Sequence, residues 1–157
     1  MSIEHSIVKF EDFHTPIVMD SWCKSYHDYP QITWIPYNIY SKVLGKYIRH
    51  ALARGRINIR LAVAPDDTTH VYGWIAYTGD VVHYVYVKNL YREQGLARSL
   101  LYYIFAEMLP ETLKVSHMPR VMPESMELLY KPSAFYSHEA VNFMVDKAQE
   151  FNTYGKY

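Results

Sequence analysis

Apolar positions along this chain recur first at helical and then at alternating spacing, and the change of period marks out its elements. Ser6–Phe10 (SIVKF) reads as a short strand. Thr15 as N-cap and Pro16 at the first helical position predict a helix to about Ser25, carrying Ile17, Val18 and Trp22 toward the core. Residues 27–38, HDYPQITWIPYN, are Pro-punctuated and aromatic and read as an ordered loop. A second helix is predicted from about Ile39 to Ala53, with Ile39, Val43, Tyr47 and Ala51 every four residues and Gly55 closing it. Its opposite face is basic, with Lys42, Lys46, Arg49 and His50.

Strict alternation then takes over. Residues 57–64 (INIRLAVA) set Ile57, Ile59, Leu61 and Val63 on one face, and 71–77 (VYGWIAY) and 81–87 (VVHYVYV) follow after short turns. Connections that short demand antiparallel pairing. The helix predicted from about Gly95 to Leu109 aligns Leu96, Leu100, Ile104 and Met108, with Leu101 and Phe105 beside them, and Pro110 ends it. Leu113–His117 lies beyond that helix, so as a fifth strand it can pair parallel to 81–87 through a crossover. Pro123–Tyr130 reads as the start of another helix, and 138–151 shows helical periodicity before a frayed tail. The fold class is α/β (α+β), a mixed, mainly antiparallel central sheet flanked by helices, in a single domain over 1–157.

Composition narrows the function classes. With 157 residues, half of them hydrophobic, the chain can bury one real core. Lys plus Arg and Asp plus Glu balance at 16 each, so no global field draws it onto nucleic acid or an anionic membrane. The single Cys23 excludes an internal disulfide framework and fits a reducing compartment. The N-terminal run has no basic region followed by an apolar one, and no window approaches the ~20 apolar residues of a membrane span, so a cytoplasmic protein is expected. Cys23 and His27 lie four apart, but no third and fourth ligand stands at metal-site spacing, and no metal is expected.

The most specific chemistry lies in Val82–Phe105, where a strand runs through a charged turn into a helix. A helix N-terminus presents unpaired N–H groups and the positive end of the macrodipole. Gly95 removes a Cβ there, Ala97 keeps the next approach open and Arg92 can add a charge-assisted contact, so the turn suits a pyrophosphate. The same residues are also compatible with a plain Gly turn beside a solvated Arg.

The pattern Arg92-x-x-Gly95-x-Ala97, placed after a strand and opening an amphipathic helix, resembles motif A of the GNAT superfamily of acyl-CoA-dependent N-acyltransferases. The order of elements is similar too, and Tyr130-Lys-Pro-Ser-Ala134-Phe135 resembles the family's Tyr-x-x-x-Gly-Phe, with Ala134 in place of the Gly. The resemblance covers Ser6 to Phe135. No final hairpin is visible, which implies a divergent C-terminal segment, and Lys88–Tyr91 lacks the Pro common after the strand.

That resemblance implies transfer of an acetyl group from acetyl-CoA to an amine by direct attack in a ternary complex. The main chain of Arg92, Glu93, Gln94, Gly95, Leu96 and Ala97, with Arg98 beside it, would hold the CoA pyrophosphate. Backbone near Tyr86 and Val87 would bind pantetheine and polarise the thioester carbonyl. His83, expected on the strand face of Val87, stands where many relatives place a Glu and is the candidate base; the residues alone also fit a half-exposed strand His. Tyr130 matches the family's general acid, with a core aromatic as its plainer reading and Tyr136 as the reserve. Tyr29, Trp34, Tyr37 and Tyr40 would wall the acceptor pocket or simply cap the sheet, and Asp28 and Asp80 could attract an ammonium. The basic run Lys42, Lys46, Arg49, Arg54, Arg56 and Arg60 reads as a solvated face. Its sharper alternative is a GNAT-fold module binding nucleic acid or protein, such as the phage members that modify DNA bases. The residues leave the acceptor, the acyl group and the choice of monomer or homodimer open.

Overall fold

The computed structural model describes residues 3–28, 33–106, 108–116 and 127–131. Its strands are β1 (Ser6–Lys9), β2 (Asn58–Ala64), β3 (Asp67–Thr78), β4 (Val81–Val87), β5 (Thr112–Val115) and β6 (Glu127–Tyr130). The helices are α1 (Thr15–His27), α2 (Tyr37–Ala53) and α3 (Leu96–Ile104), with short 3-10 turns at Asp12–His14 and Asn89–Tyr91. The strands form one sheet in chain order, antiparallel from β1 to β4 and parallel from β4 to β6. None of the described helices is long and apolar enough to cross a membrane.

Period-two alternation divides the core in two. Ile59, Leu61 and Val63 of β2 join Trp74, Ala76 and Tyr84 against α1 and α2. Ala62, Ala64, Ile75 and Val82 face Leu96 and Leu100 of α3 on the other side. Helices cover both faces, so the central strands bury nearly every side chain, and little solvent-facing polarity survives in them. Trp22 of α1 packs on Trp74 with ring centroids 5.0 Å apart, and Trp74 Nε1–H donates to Ser21 Oγ at 2.9 Å. The sole thiol, Cys23, lies in this layer, and burial pushes it up to about 11.

Buried His14 ties the chain before α1 to the sheet. Its Nδ1 accepts the Glu11 N–H at 3.0 Å, which leaves Nε2–H to donate to the Thr68 carbonyl at 2.9 Å. The helix therefore starts at Thr15 itself, with His14 and not Thr15 in the capping position and no side-chain cap. In α2 the buried stripe is Tyr40, Leu44, Ile48 and Ala51, one residue round from the expected one. Ile39 and Tyr47 pack at its margin. Both stripes fit a 3.6-residue period, and contact with Trp22 and Tyr26 on α1 decides between them.

Helix α3 is shorter than expected. It stops at Ile104, Ala106 takes a left-handed φ of 51°, and Met108 is 81% exposed where core burial was expected. Residues 127–130 are a strand, where the sequence suggested a helix. Glu127 N–H donates to Glu111 O and Lys131 N–H to Val115 O, so the open edge of β5 overrides local helical preference. Ala134, Phe135, Tyr136 and the periodic run 138–151 lie outside the described residues.

Gly73 on β3 is required by close approach. A Cβ there would lie 2.6 Å from the Tyr86 carbonyl oxygen and 3.2 Å from Val87 Cα. Gly73→Ala is expected to cost about 1–3 kcal/mol by prising β3 from β4, measured as a lowered urea midpoint.

Candidate functional site

The sheet is incomplete at one place. Strand β4 has seven residues but pairs with β5 only at Val81↔Lys114 and Val82↔Val115. The Ser116 N–H donates to the Val82 carbonyl at 3.0 Å as the last rung. Past it, among the described residues, β4 pairs with β3 alone for five residues, about 16 Å at a strand's rise. The Lys88 N–H donates to the Tyr72 carbonyl, and counting back by twos places Tyr86 and Tyr84 in the β3 ladder. Main-chain groups of Val85 and Val87 therefore face the side β5 has left. Tyr86, expected to offer its backbone there, turns its carbonyl toward Gly73. On the open side, the Val87 carbonyl accepts from Arg92 Nε at 2.9 Å.

Beyond Val87 the chain reaches a turn of alternating hand. Arg92 is extended (φ −70°, ψ 160°), Glu93 has φ 64° and Gly95, the residue before α3, has φ 78°. Nothing lies within 4 Å of a Cβ at Gly95, so its handedness and not crowding calls for glycine. Left-handed Glu93 costs about 1–2 kcal/mol, a strain typical of ligand-holding turns. No side chain caps α3, so the first-turn N–H groups of Leu96, Ala97 and Arg98 keep the helix's positive end open. Buried Leu96 anchors that end, while Glu93, Ala97 and Arg98 are exposed and Gln94 is half-buried. The Arg98 guanidinium lies over the Tyr102 ring at 5.5 Å. Chemically, such a turn at a helix N-terminus suits an anion.

At the other end of the gap stands His83. The β3–β4 register passes from Ala76↔Tyr84 to Tyr77↔Val82, so His83 is the extra residue of a β-bulge. The bulge interrupts alternation and overturns the expectation that His83 shares a face with Val87. Val87 packs on the α3 side. His83 instead touches Thr78 and Ser116, the neighbours of Tyr77 and Val115, which belong to the α3-side core; both partners thus lie on the α1/α2 face. Nor is it half-exposed: 1% of its surface is accessible. Thr78 donates its one hydroxyl hydrogen to the Arg56 carbonyl, so it accepts from His83 Nε2–H at 2.7 Å. The neutral ring then has a bare Nδ1, which accepts the Ser116 hydroxyl at 2.8 Å. Ser116 and Thr78 carry no sequence signal of their own; pairing of β5 to β4 brings them to the histidine.

The aromatic wall lies on the same α1/α2 face. Tyr37 stacks on Tyr40 (centroids 6.1 Å, 14°), and His27 meets both edge-on while its Nε2 bonds the Ile35 carbonyl at 2.7 Å. Trp34 is half exposed, and Tyr29 lies outside the described residues. Tyr84 OH and Ser25 Oγ are 2.8 Å apart in the buried layer on this face. Asp80 is committed elsewhere: Lys114 Nζ donates to it at 2.7 Å and holds its carboxyl below the usual range. Asp28 is the residue that follows α1. Tyr130 ends β6 opposite Val115 and is 53% exposed. It shares the α3 face with Val115, two strand spacings (about 10 Å) from Val82.

No protein-family model and no curated protein matches this chain. Among solved structures, a probable acetyltransferase superposes with TM-score 0.51 at 14% identity, covering 90% of this chain and 87% of that one. A GNAT-family acetyltransferase from Staphylococcus aureus Mu50 gives TM-score 0.47 at 13% identity, over 66% of this chain and 65% of its own. The PaiA N-acetyltransferase from Thermoplasma acidophilum, solved in complex with coenzyme A, gives 0.47 at 16% identity over 66% and 71%. The match thus spans a little under two thirds of the Staphylococcus protein's length. At such identities the likeness is one of fold.

Two outcomes follow from this geometry. Gly95→Ala is expected to destabilise by about 1–2 kcal/mol in thermal unfolding, because alanine must hold a left-handed φ. Burial lowers the His83 pKa from 6.5 to about 4, so the unfolded chain binds a proton that the folded one refuses. Stability from His83 is whole above pH 6.5 and is lost as pH falls toward 4. Between pH 7 and 4 the wild type should lose up to about 3 kcal/mol more than His83→Gln, read from urea midpoints.

Proposed function

We propose that this chain, which carries the GNAT fold, moves an acetyl group from acetyl-CoA to a primary amine by direct transfer in a ternary complex. One observation carries the reading: an uncapped helix N-terminus behind an alternating-hand turn follows a strand whose last five residues pair, among the described residues, on one side only. The donor set fits the group. Amides of Arg92, Glu93, Gln94, Gly95, Leu96 and Ala97, with Arg98 beside them, would receive the pyrophosphate. The outward groups of Val85 and the Val87 N–H would pair with the pantetheine amides as an added strand would, in place of the Tyr86 groups that β3 engages and the Val87 carbonyl that Arg92 engages. Bound acetyl-CoA supplies the activated thioester carbonyl.

The chain's own side chains then divide the work by face. Tyr37 and Trp34, the exposed rings of that wall, would hold the amine on the α1/α2 side, where His83 serves as base, while Tyr40 is a core residue beneath them. Tyr130 serves as acid toward the sulfur from the α3 side. The whole of 1–157 acts as one domain, in the cytoplasm.

Ala97 is exposed in the first turn, where a carboxylate suits the helix dipole, so Ala97→Glu should fold normally and repel the pyrophosphate. Isothermal titration with coenzyme A should show at least about tenfold weaker binding for the variant. Equal affinities for variant and wild type would end the proposal.

A further inference from the structure

Basic residues that the proposed transfer leaves unused converge on one hollow. It has a volume of about 530 Å³ and lies between the end of β1, the last turns of α2 and the start of β2. Lys9, Arg49 and Arg60 line it, one from each of these elements. Strand β3 separates it from β4 and from the turn before α3. Two features distinguish these cations from a solvated face. Lys9 and Arg60 are register partners in the antiparallel β1–β2 pair, so like charges stand directly opposite, at a cost in stability. Arg60 is also incompletely satisfied. Its Nη1 donates to the Ile59 carbonyl at 3.1 Å and its guanidinium lies over the Tyr77 ring at 5.8 Å, but its Nε–H is shut off from solvent without an acceptor. A guanidinium held so loosely loses little by turning toward an incoming anion. Among the described residues, none of the three cations is in a salt bridge, and Asp12 is the one acid of the lining. The hollow thus carries an excess of two positive charges. The surface between the cations is mainly apolar: Phe10 and Leu52 pack against the core, and Ile57 and Ile59 belong to it.

We infer that this hollow binds a small phosphate monoester with an apolar body. A phosphate monoester carries close to two negative charges at pH 7 and so matches the excess, whereas a carboxylate balances only half of it. Arg49 and Arg60 take the phosphate oxygens as planar forks and Lys9 as a point charge, which relieves the Lys9–Arg60 repulsion. The apolar body covers Phe10 and Leu52. A cavity of this size is within the range of small-ligand sites, and a nucleic acid strand would leave its apolar part unused. The hollow binds such a ligand whether or not the chain transfers an acetyl group.

Titration of the full chain with phenyl phosphate, followed in 1H–15N correlation spectra, should give saturable shifts at the amides of Phe10, Leu52 and Arg60. Benzoate lacks the second charge and inorganic phosphate the apolar body, so each should bind about tenfold more weakly. Lys9 and Arg49 are exposed, so Lys9→Gln and Arg49→Gln should keep the wild-type thermal midpoint and each weaken binding about tenfold. Ala53, an exposed residue of the lining, supplies the steric control: Ala53→Trp keeps every charge, obstructs the hollow and should abolish the shifts. Shifts confined to residues 95–98 would put the phosphate at the turn before α3 and overturn the inference. Equal affinity in the charge variants, or undiminished binding by Ala53→Trp, would reduce the hollow to diffuse surface charge and overturn it too. So would preference of the same residues for a single-stranded oligonucleotide over phenyl phosphate, which would make this a polyanion surface.

Discussion

Whether β5 stays beside β4 decides what this sheet can do. A strand edge inside a sheet cannot leave its N–H and C=O groups unpaired without cost, so a gap between neighbours calls for something that pairs as a strand does. Three features shape this side of β4 among the described residues. The missing Cβ at Gly73 lets β4 press close to β3, the bulge at His83 re-aims β4 where β5 leaves it, and Arg92 reaches back to the Val87 carbonyl. Because helices cover both faces, the route to the core runs in the plane of the sheet.

The gap also separates two chemistries. The α3 side offers main-chain dipoles and a guanidinium, suited to an anion. The α1/α2 side offers flat rings and a buried neutral imidazole. With no net charge on the chain, the difference between the two sides comes from local groups and not from the overall field.

Much of this was legible in the sequence, and the exceptions have a common cause. Strict alternation in 57–64 and 81–87, and the Gly95 turn into a leucine-rich helix, are local signals, and they locate the sheet and the cradle. The bulge is not local: one extra residue in VVHYVYV becomes visible only against β3, and it reverses the face of His83. Ser116 ends an ordinary-looking strand and gains meaning only from Val82 beside it. ELLY at 127–130 carries no decisive period in four residues, and the edge of β5 supplies what the local sequence lacks. The stripe on α2 was displaced by one residue because two adjacent rows of apolar side chains fit the same helix.

Cys23 sits in the layer that closes the α1/α2 face, and it is the only sulfhydryl in the chain. Its raised proton affinity and its burial both suppress reaction with thiol reagents while α1 stays docked. The protein therefore contains its own reporter: the rate at which a disulfide dye modifies the native fold counts the excursions in which this helix lifts from the sheet.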